Sequence, residues 1–179
     1  MNWKLIGEII GVVALIESFF IYLSNDRKKI LRLKGVSDAL WAVNYFMIGA
    51  FTGGVLNMLM VFREFVFYHR LEKKWAQSRL WMYFFCMICF ASPVIEFIKT
   101  GTFAILPLLP ACGSVAAVFG FYDKNPTRIR ILNFVTAIPW LIYNVYTQNI
   151  TSTISGIVAI CSIILGMVLA HREKKKQEG

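Results

Sequence analysis

Four clusters of positive charge divide this chain, and the apolar stretches between them are close to twice the length that crosses a bilayer. The clusters are Arg27, Lys28, Lys29, Arg32 and Lys34; Arg70, Lys73, Lys74 and Arg79; Lys124, Arg128 and Arg130; and Arg172 with Lys174, Lys175 and Lys176. An α-helix crosses the hydrocarbon core in about 20 residues. From Ile131 to Ala170 the chain runs forty residues without one Asp, Glu, Lys, Arg or His, room for one crossing out and one back. Clusters separated by paired crossings return to the same face, which the positive-inside rule makes the cytoplasmic one.

Composition excludes the soluble alternatives. The chain is 58% apolar and 16% charged, against about 25% charged in a soluble domain. A core of 179 residues has too little interior to hide that much apolar surface. The net charge of +9 suggests nucleic acid only until its distribution is read. Sixteen of nineteen Lys and Arg residues lie in the four clusters, Lys4 and Lys99 fall on the opposite side, and Arg63 lies inside a span. That asymmetry belongs to an integral membrane protein. The partner it implies is the lipid bilayer and not nucleic acid.

The chain then reads as seven spans. The first covers about 5–23, with Glu8 and Glu17 inside it; the N-terminus lacks the basic n-region and small-residue cleavage site of a signal peptide, so it is expected to stay as a span. The stretch 36–68 is too long for one span and tight for two, and charge sidedness demands two, about 37–49 and 53–68, turning at 49–54. Span four runs over 80–98 and turns at Lys99-Thr100-Gly101. Span five covers 103–122 with Pro107 and Pro110, span six 131–146, and span seven 150–170, with an outer turn at 147–149. Basic loops are expected around 24–34, 70–79 and 123–130, with Trp75 an interface anchor in the second. The N-terminus is outside and the C-terminus cytoplasmic.

Placing Trp41 over Trp140 aligns the two ends of the chain. Arg27-Lys28-Lys29-Ile30-Leu31 precedes Trp41 much as Arg128-Ile129-Arg130-Ile131-Leu132 precedes Trp140, with a two-residue gap. The expected architecture is therefore an all-α integral membrane protein of two parallel three-helix repeats joined by an inverting helix, 3+1+3. Its segments are 1–70, a linker helix in 71–101, 102–170, and a charged tail at 171–179. Parallel repeats about an axis along the membrane normal are a transporter architecture with its site at the repeat interface.

The polar residues inside the spans are the candidate site. Trp41, Asn44 and Tyr45, like Trp140, Tyr143 and Asn144, are spaced i, i+3, i+4 and so share a helix face. An indole beside an amide offers a stacking plate and a hydrogen-bonding edge, suited to a small neutral polar solute. Aromatic residues also mark membrane interfaces, a role that suits Trp41 better than Trp140, which lies ten residues beyond Arg130. Asn57 must face protein or water, as ligand contact or as an interhelical bond. Glu17 and Arg63 lie twelve and ten residues down their spans, depths that allow an ion pair; Arg63 can alternatively snorkel to the cytoplasmic surface.

Enzymatic and metal chemistry find no support. His69 and His171 are the only histidines and sit at helix ends, and no H-E-x-x-H, G-x-S-x-G or Walker sequence occurs. Cys86 and Cys89 form a C-x-x-C without a second Cys or His pair near it in sequence, which reads as small packing residues. No cofactor and no metal are expected.

At Gly11 and Ala14, at Leu56-Asn57 followed by Arg63, at Leu106-Pro107, at Arg128 and Arg130, and at Trp140 with Asn144, the chain resembles the YgjV family of bacterial inner-membrane proteins. The resemblance implies residence in the inner membrane and a fold similar to the seven-helix SWEET and PQ-loop carriers. The chain departs from those carriers in having no Pro-Gln step and no proline before Pro93. The resulting expectation is a SWEET-like facilitator or binder of a small polar solute, with Trp41, Asn44, Asn57, Trp140, Tyr143 and Asn144 at its site. The other reading is a non-transporting scaffold or regulator whose basic loops hold anionic lipid or a cytoplasmic partner. A second copy of the chain is a partner the sequence leaves open.

Overall fold

Helix starts in this chain fall where a short polar side chain can hold the first free N–H groups. Asp26 Oδ1 accepts the Lys28 N–H at 2.9 Å, and Asn125 Oδ1 accepts the Thr127 N–H at 2.9 Å with Pro126 in the first helical position. These caps set the beginnings of two 21-residue helices in a computed structural model that describes all residues except 1–2, 48–50, 103–104, 106–107, 147–149 and 179. The described residues form eight α-helices: α1 (Trp3–Phe20), α2 (Arg27–Met47), α3 (Phe51–His69), α4 (Leu80–Cys89), α5 (Ala91–Thr100), α6 (Leu108–Tyr122), α7 (Pro126–Tyr146) and α8 (Ile150–Glu178). Short 3₁₀ turns cover Ile21–Leu23 and Lys74–Ala76.

Several boundaries differ from the sequence expectation, each for a local reason. The first and third basic loops shrink to three residues apiece, 24–26 and 123–125, because the caps start α2 and α7 before the basic residues. Arg27 to Lys34, Arg128 and Arg130 are therefore helical. The expected tail is helical too, since α8 continues to Glu178. Span four breaks in two at Phe90, whose φ of −90° and ψ of 0° end the first helix; Pro93 has no N–H to offer the Cys89 carbonyl. Gly101 turns the chain as expected, with φ +68° and its N–H on the Phe97 carbonyl at 2.8 Å. The turns at 49–54 and 147–149 and the Leu106-Pro107 step fall wholly or partly outside the described residues.

Small residues let the helices approach. Gly7, Gly11, Ala14 and Ser18 make a buried stripe along α1 against α2. Ser18 Oγ lies 2.9 Å from Ser37 Oγ, and the Asn44 amide donates to the Gly7 carbonyl at 2.7 Å. Gly113, Ala117 and Gly120 do the same for α6 against α7, where Thr136 Oγ1 donates to the Gly113 carbonyl at 2.7 Å. Contacts run α1 to α2 to α3 and α6 to α7 to α8, while α8 returns to α1 and α6 touches α3, so six helices close a ring. Helix α4 packs outside it on α6, with Phe85 edge-on to Phe67 at 5.4 Å.

The exterior is inverted relative to a soluble protein. Ile16, Leu80 and Ile98 are 56%, 75% and 74% exposed, while Asp38, Glu64 and Arg130 are 3%, 2% and 0% exposed. Apolar groups outside and charge inside suit hydrocarbon as solvent. Leu5–Leu23 and Thr153–Lys176 are each long and apolar enough to cross a membrane.

Candidate functional site

Two arginines knit the basic end of the ring. Arg27, at the start of α2, donates through Nε to the Asp123 carbonyl at 2.7 Å and through Nη2 to the Phe67 and Phe121 carbonyls at 2.8 and 3.2 Å. Arg130, near the start of α7, donates through Nε to the Tyr22 carbonyl at 2.8 Å and through Nη2 to the Ser24 carbonyl at 2.6 Å. Both satisfy carbonyls left free at helix C-termini, where the dipole also favours a cation. The bonds are reciprocal: α2 holds the end of α6, and α7 holds the end of α1. Lys28 pairs with Glu72, Arg70 bonds the Tyr122 carbonyl, and Asn25 bonds Glu173, so segments of all four basic clusters meet at this end. The Lys28 hydrogen bond holds the Glu72 carboxyl below the usual carboxylate range.

Above that closure the ring encloses a cavity of about 440 Å³. Its walls come from α2, α3, α6, α7 and α8, with Tyr22 and the end of α4 below. Of the residues expected from sequence, Trp41, Asn57, Trp140 and Asn144 line it together, and Arg63 lies in its wall. Trp140 Nε1 donates to Ser114 Oγ at 3.0 Å, which fixes the indole against α6. Asn44 does not line the cavity: its amide is spent on Gly7, and a Cβ on Gly11 would stand 2.9 Å from its Nδ2. Tyr143 does not line it either, and stands edge-on to Trp140 at 6.2 Å. Shared helix face thus sorted these six only in part.

The expected Glu17–Arg63 ion pair is not formed. Arg63 pairs instead with Glu64, Nη2 to Oε1 at 2.6 Å and Nε to Oε1 at 2.9 Å, and stacks its guanidinium on Phe121 at 5.1 Å. Depth along the spans was right, but α2 lies between α1 and α3. Glu17 consequently faces α2, where Ser37, Lys34 and Asp38 are its polar neighbours.

Sequence reading missed several lining residues. Lys34 and Asp38 form an ion pair one helical turn apart inside the cavity wall. Their i, i+4 spacing was visible, but Lys34 read as part of a solvated basic loop and Asp38 as the start of the next span. Asn133, which accepts from the Tyr22 hydroxyl at 3.0 Å through Oδ1, was the first amide in the forty-residue uncharged run. Cys89 also faces the cavity and donates to the Phe85 carbonyl at 3.2 Å, while Cys86 packs on the apolar core.

An all-helical bundle with an apolar exterior, charge buried inside and a cavity among its helices lined in part by polar side chains is an integral membrane protein. The sequence profile of the Imp-YgjV family, bacterial inner membrane proteins, matches residues 5–174, and the chain belongs to that family. It resides in the bacterial inner membrane. No curated protein and no solved structure matches it.

Proposed function

We propose that this protein is a SWEET-like facilitator, moving or binding a small polar solute in the cavity between two three-helix units. The observation that carries the reading is the cavity itself, where Trp41 and Asn57 stand on one wall and Trp140 and Asn144 on the other. Its volume falls within the 300–1,000 Å³ common for small-molecule sites. Indoles and amides recognise such a solute by stacking and hydrogen bonds without a cofactor, and the reading assigns no enzymatic step.

What supports two repeated units is the register of their helices. Helices α2 and α7 have equal length and begin and end 99 positions apart, and α3 and α8 begin 99 apart. The same offset carries Trp41 onto Trp140 and the capping Asp26 onto Asn125 with no gap. The units are then α1–α3 and α6–α8, with α4 and α5 together as the inverting span, and seven crossings place the basic end in the cytoplasm. The reciprocal Arg27 and Arg130 bonds tie the units there, so opening inward requires both to release. Rocking one unit against the other would alternate access.

Full-length protein in liposomes, screened against labelled sugars, amino acids and carboxylates, tests this. Saturable uptake of one class is expected, with Trp140→Ala and Asn57→Ala each weakening apparent affinity about tenfold, the loss of roughly 1–2 kcal/mol of contact. No uptake of any class, with thermal stability indifferent to the same solutes, sinks the reading.

A further inference from the structure

Five ionisable side chains cluster where the cavity meets the α1–α3 wall. Lys34 pairs with Asp38, Arg63 pairs with Glu64, and Glu17 stands beside the first pair. Three carboxylates face two cations, so the fully ionised cluster carries one uncompensated negative charge within the bilayer. Asp38 Oδ2 and Glu64 Oε2 have no hydrogen-bond partner. Asp38 is 97% buried and is the carboxylate of the three that lines the cavity.

The fold itself does not require these charges. With the 99-residue offset, on which this inference rests, Glu17, Lys34, Asp38, Arg63 and Glu64 correspond to Ala116, Asn133, Ala137, Ser162 and Ile163. The second unit therefore builds the same three helices with all five positions neutral. Charges within membrane helices are costly to insert and rarely face lipid. Five of them gathered beside one wall of a cavity, with Lys34, Asp38 and Arg63 lining it, and absent from the corresponding positions of the second unit, indicate use.

We propose that this cluster binds one exchangeable proton, held on Glu17 and passed to the cavity through Asp38. Adding one proton to a carboxylate makes the cluster neutral, and the proton comes from water in the cavity and returns to it. A proton compensates a single carboxylate without needing further ligands, and among the described residues no group of three His, Cys, Asp or Glu is arranged to hold a metal ion. The other titratable groups facing the cluster are Tyr22, whose hydroxyl is committed to Asn133, and Cys89 at the end of α4. Access to the cavity then governs which side of the membrane the proton sees, which couples it to the solute.

Infrared difference spectra of the full-length protein in lipid nanodiscs, taken between acidic and alkaline buffer, read the proton directly without any solute. The carbonyl-stretch band of a buried carboxylic acid should titrate in the wild type as a single step. It should be lost in Glu17→Gln, and in Asp38→Asn its exchange with heavy water should slow. A wild-type spectrum with no titrating buried-acid band overturns the proposal whether or not any variant folds. So does a band unchanged in Glu17→Gln, or a titration midpoint that moves with sodium concentration at fixed pH. Failure of the solute screen alone leaves this result standing, and the two readings fail separately.

Discussion

Gly166 illustrates how little space the cavity floor allows. A Cβ built there would collide with the Tyr22 carbonyl, the same carbonyl that accepts the Arg130 Nε–H. Gly156, by contrast, would place a Cβ 3.5 Å from Leu141 Cδ1, an ordinary contact. Gly166→Ala should cost about 1–3 kcal/mol by overpacking, whereas Gly156→Ala should be neutral or gain up to about 1 kcal/mol of helix propensity. Thermal unfolding of the two variants in detergent decides it, and equal effects would show that the α1–α8 approach is not tight. At this scale the sequence was most legible where residue chemistry was rare. An amide or indole within an uncharged run, such as Asn57 or Trp140, stands out against hydrocarbon. Lys34 did not stand out, because a cation beside four other basic residues reads as solvated, and its partner Asp38 stood at the start of the next expected span. The pairing of Arg63 failed for a different reason: sequence position gives depth along a helix, while rotation about the axis is set by which neighbour intervenes.

Helix boundaries depend on caps, and caps are short-range signals that charge patterning overrode. The start of α7 shows the chemistry. Burial works against ionisation of Asp123, but the Asn125 N–H at 2.8 Å and Arg128 at 3.3 Å hold its carboxyl below the ordinary aspartate value. A carboxyl depressed in the folded chain contributes fully above its unfolded value, about 3.9, and loses that contribution as pH falls through the lower folded value. Asp123→Asn should therefore lower the thermal midpoint near pH 7 and converge with wild type as the pH drops to 3. Midpoints that stay parallel across that range would remove Asp123 from the list of stabilising groups. The break between α4 and α5 was legible in principle from Pro93, which falls in the first turn of the second helix, where proline is tolerated. Span length alone hid it, because two short helices and one long one occupy the same apolar stretch.

For the whole molecule, spacing of the basic clusters carried the main inference, and the meeting of Arg27, Arg70, Arg130 and Glu173 with distant segments at one end agrees with it. The side of the membrane on which that end lies is open to direct test. A reporter active only outside the cytoplasm, fused after Gly179, should stay silent, and the same reporter at the N-terminus should be active. Reversal of both would invert the topology. The cavity lies between helices from the two ends of the chain, and the charge on one side of it was not legible, since aligning Trp41 with Trp140 draws attention to what the two ends share.

The reciprocal arginine bonds also order events during synthesis. Arg27 leaves the ribosome 96 residues before Asp123, the carbonyl it caps, and α1 waits for Arg130, which follows Tyr22 by 108 residues. Helices α1–α3 are therefore made with both of these contacts unmade, and the ends that carry them stay open to chaperones or proteases until α7 arrives. Ribosome pauses or truncations before residue 130 would release a unit whose apolar helices are complete but whose ends are not, and quality control would meet it as unfinished.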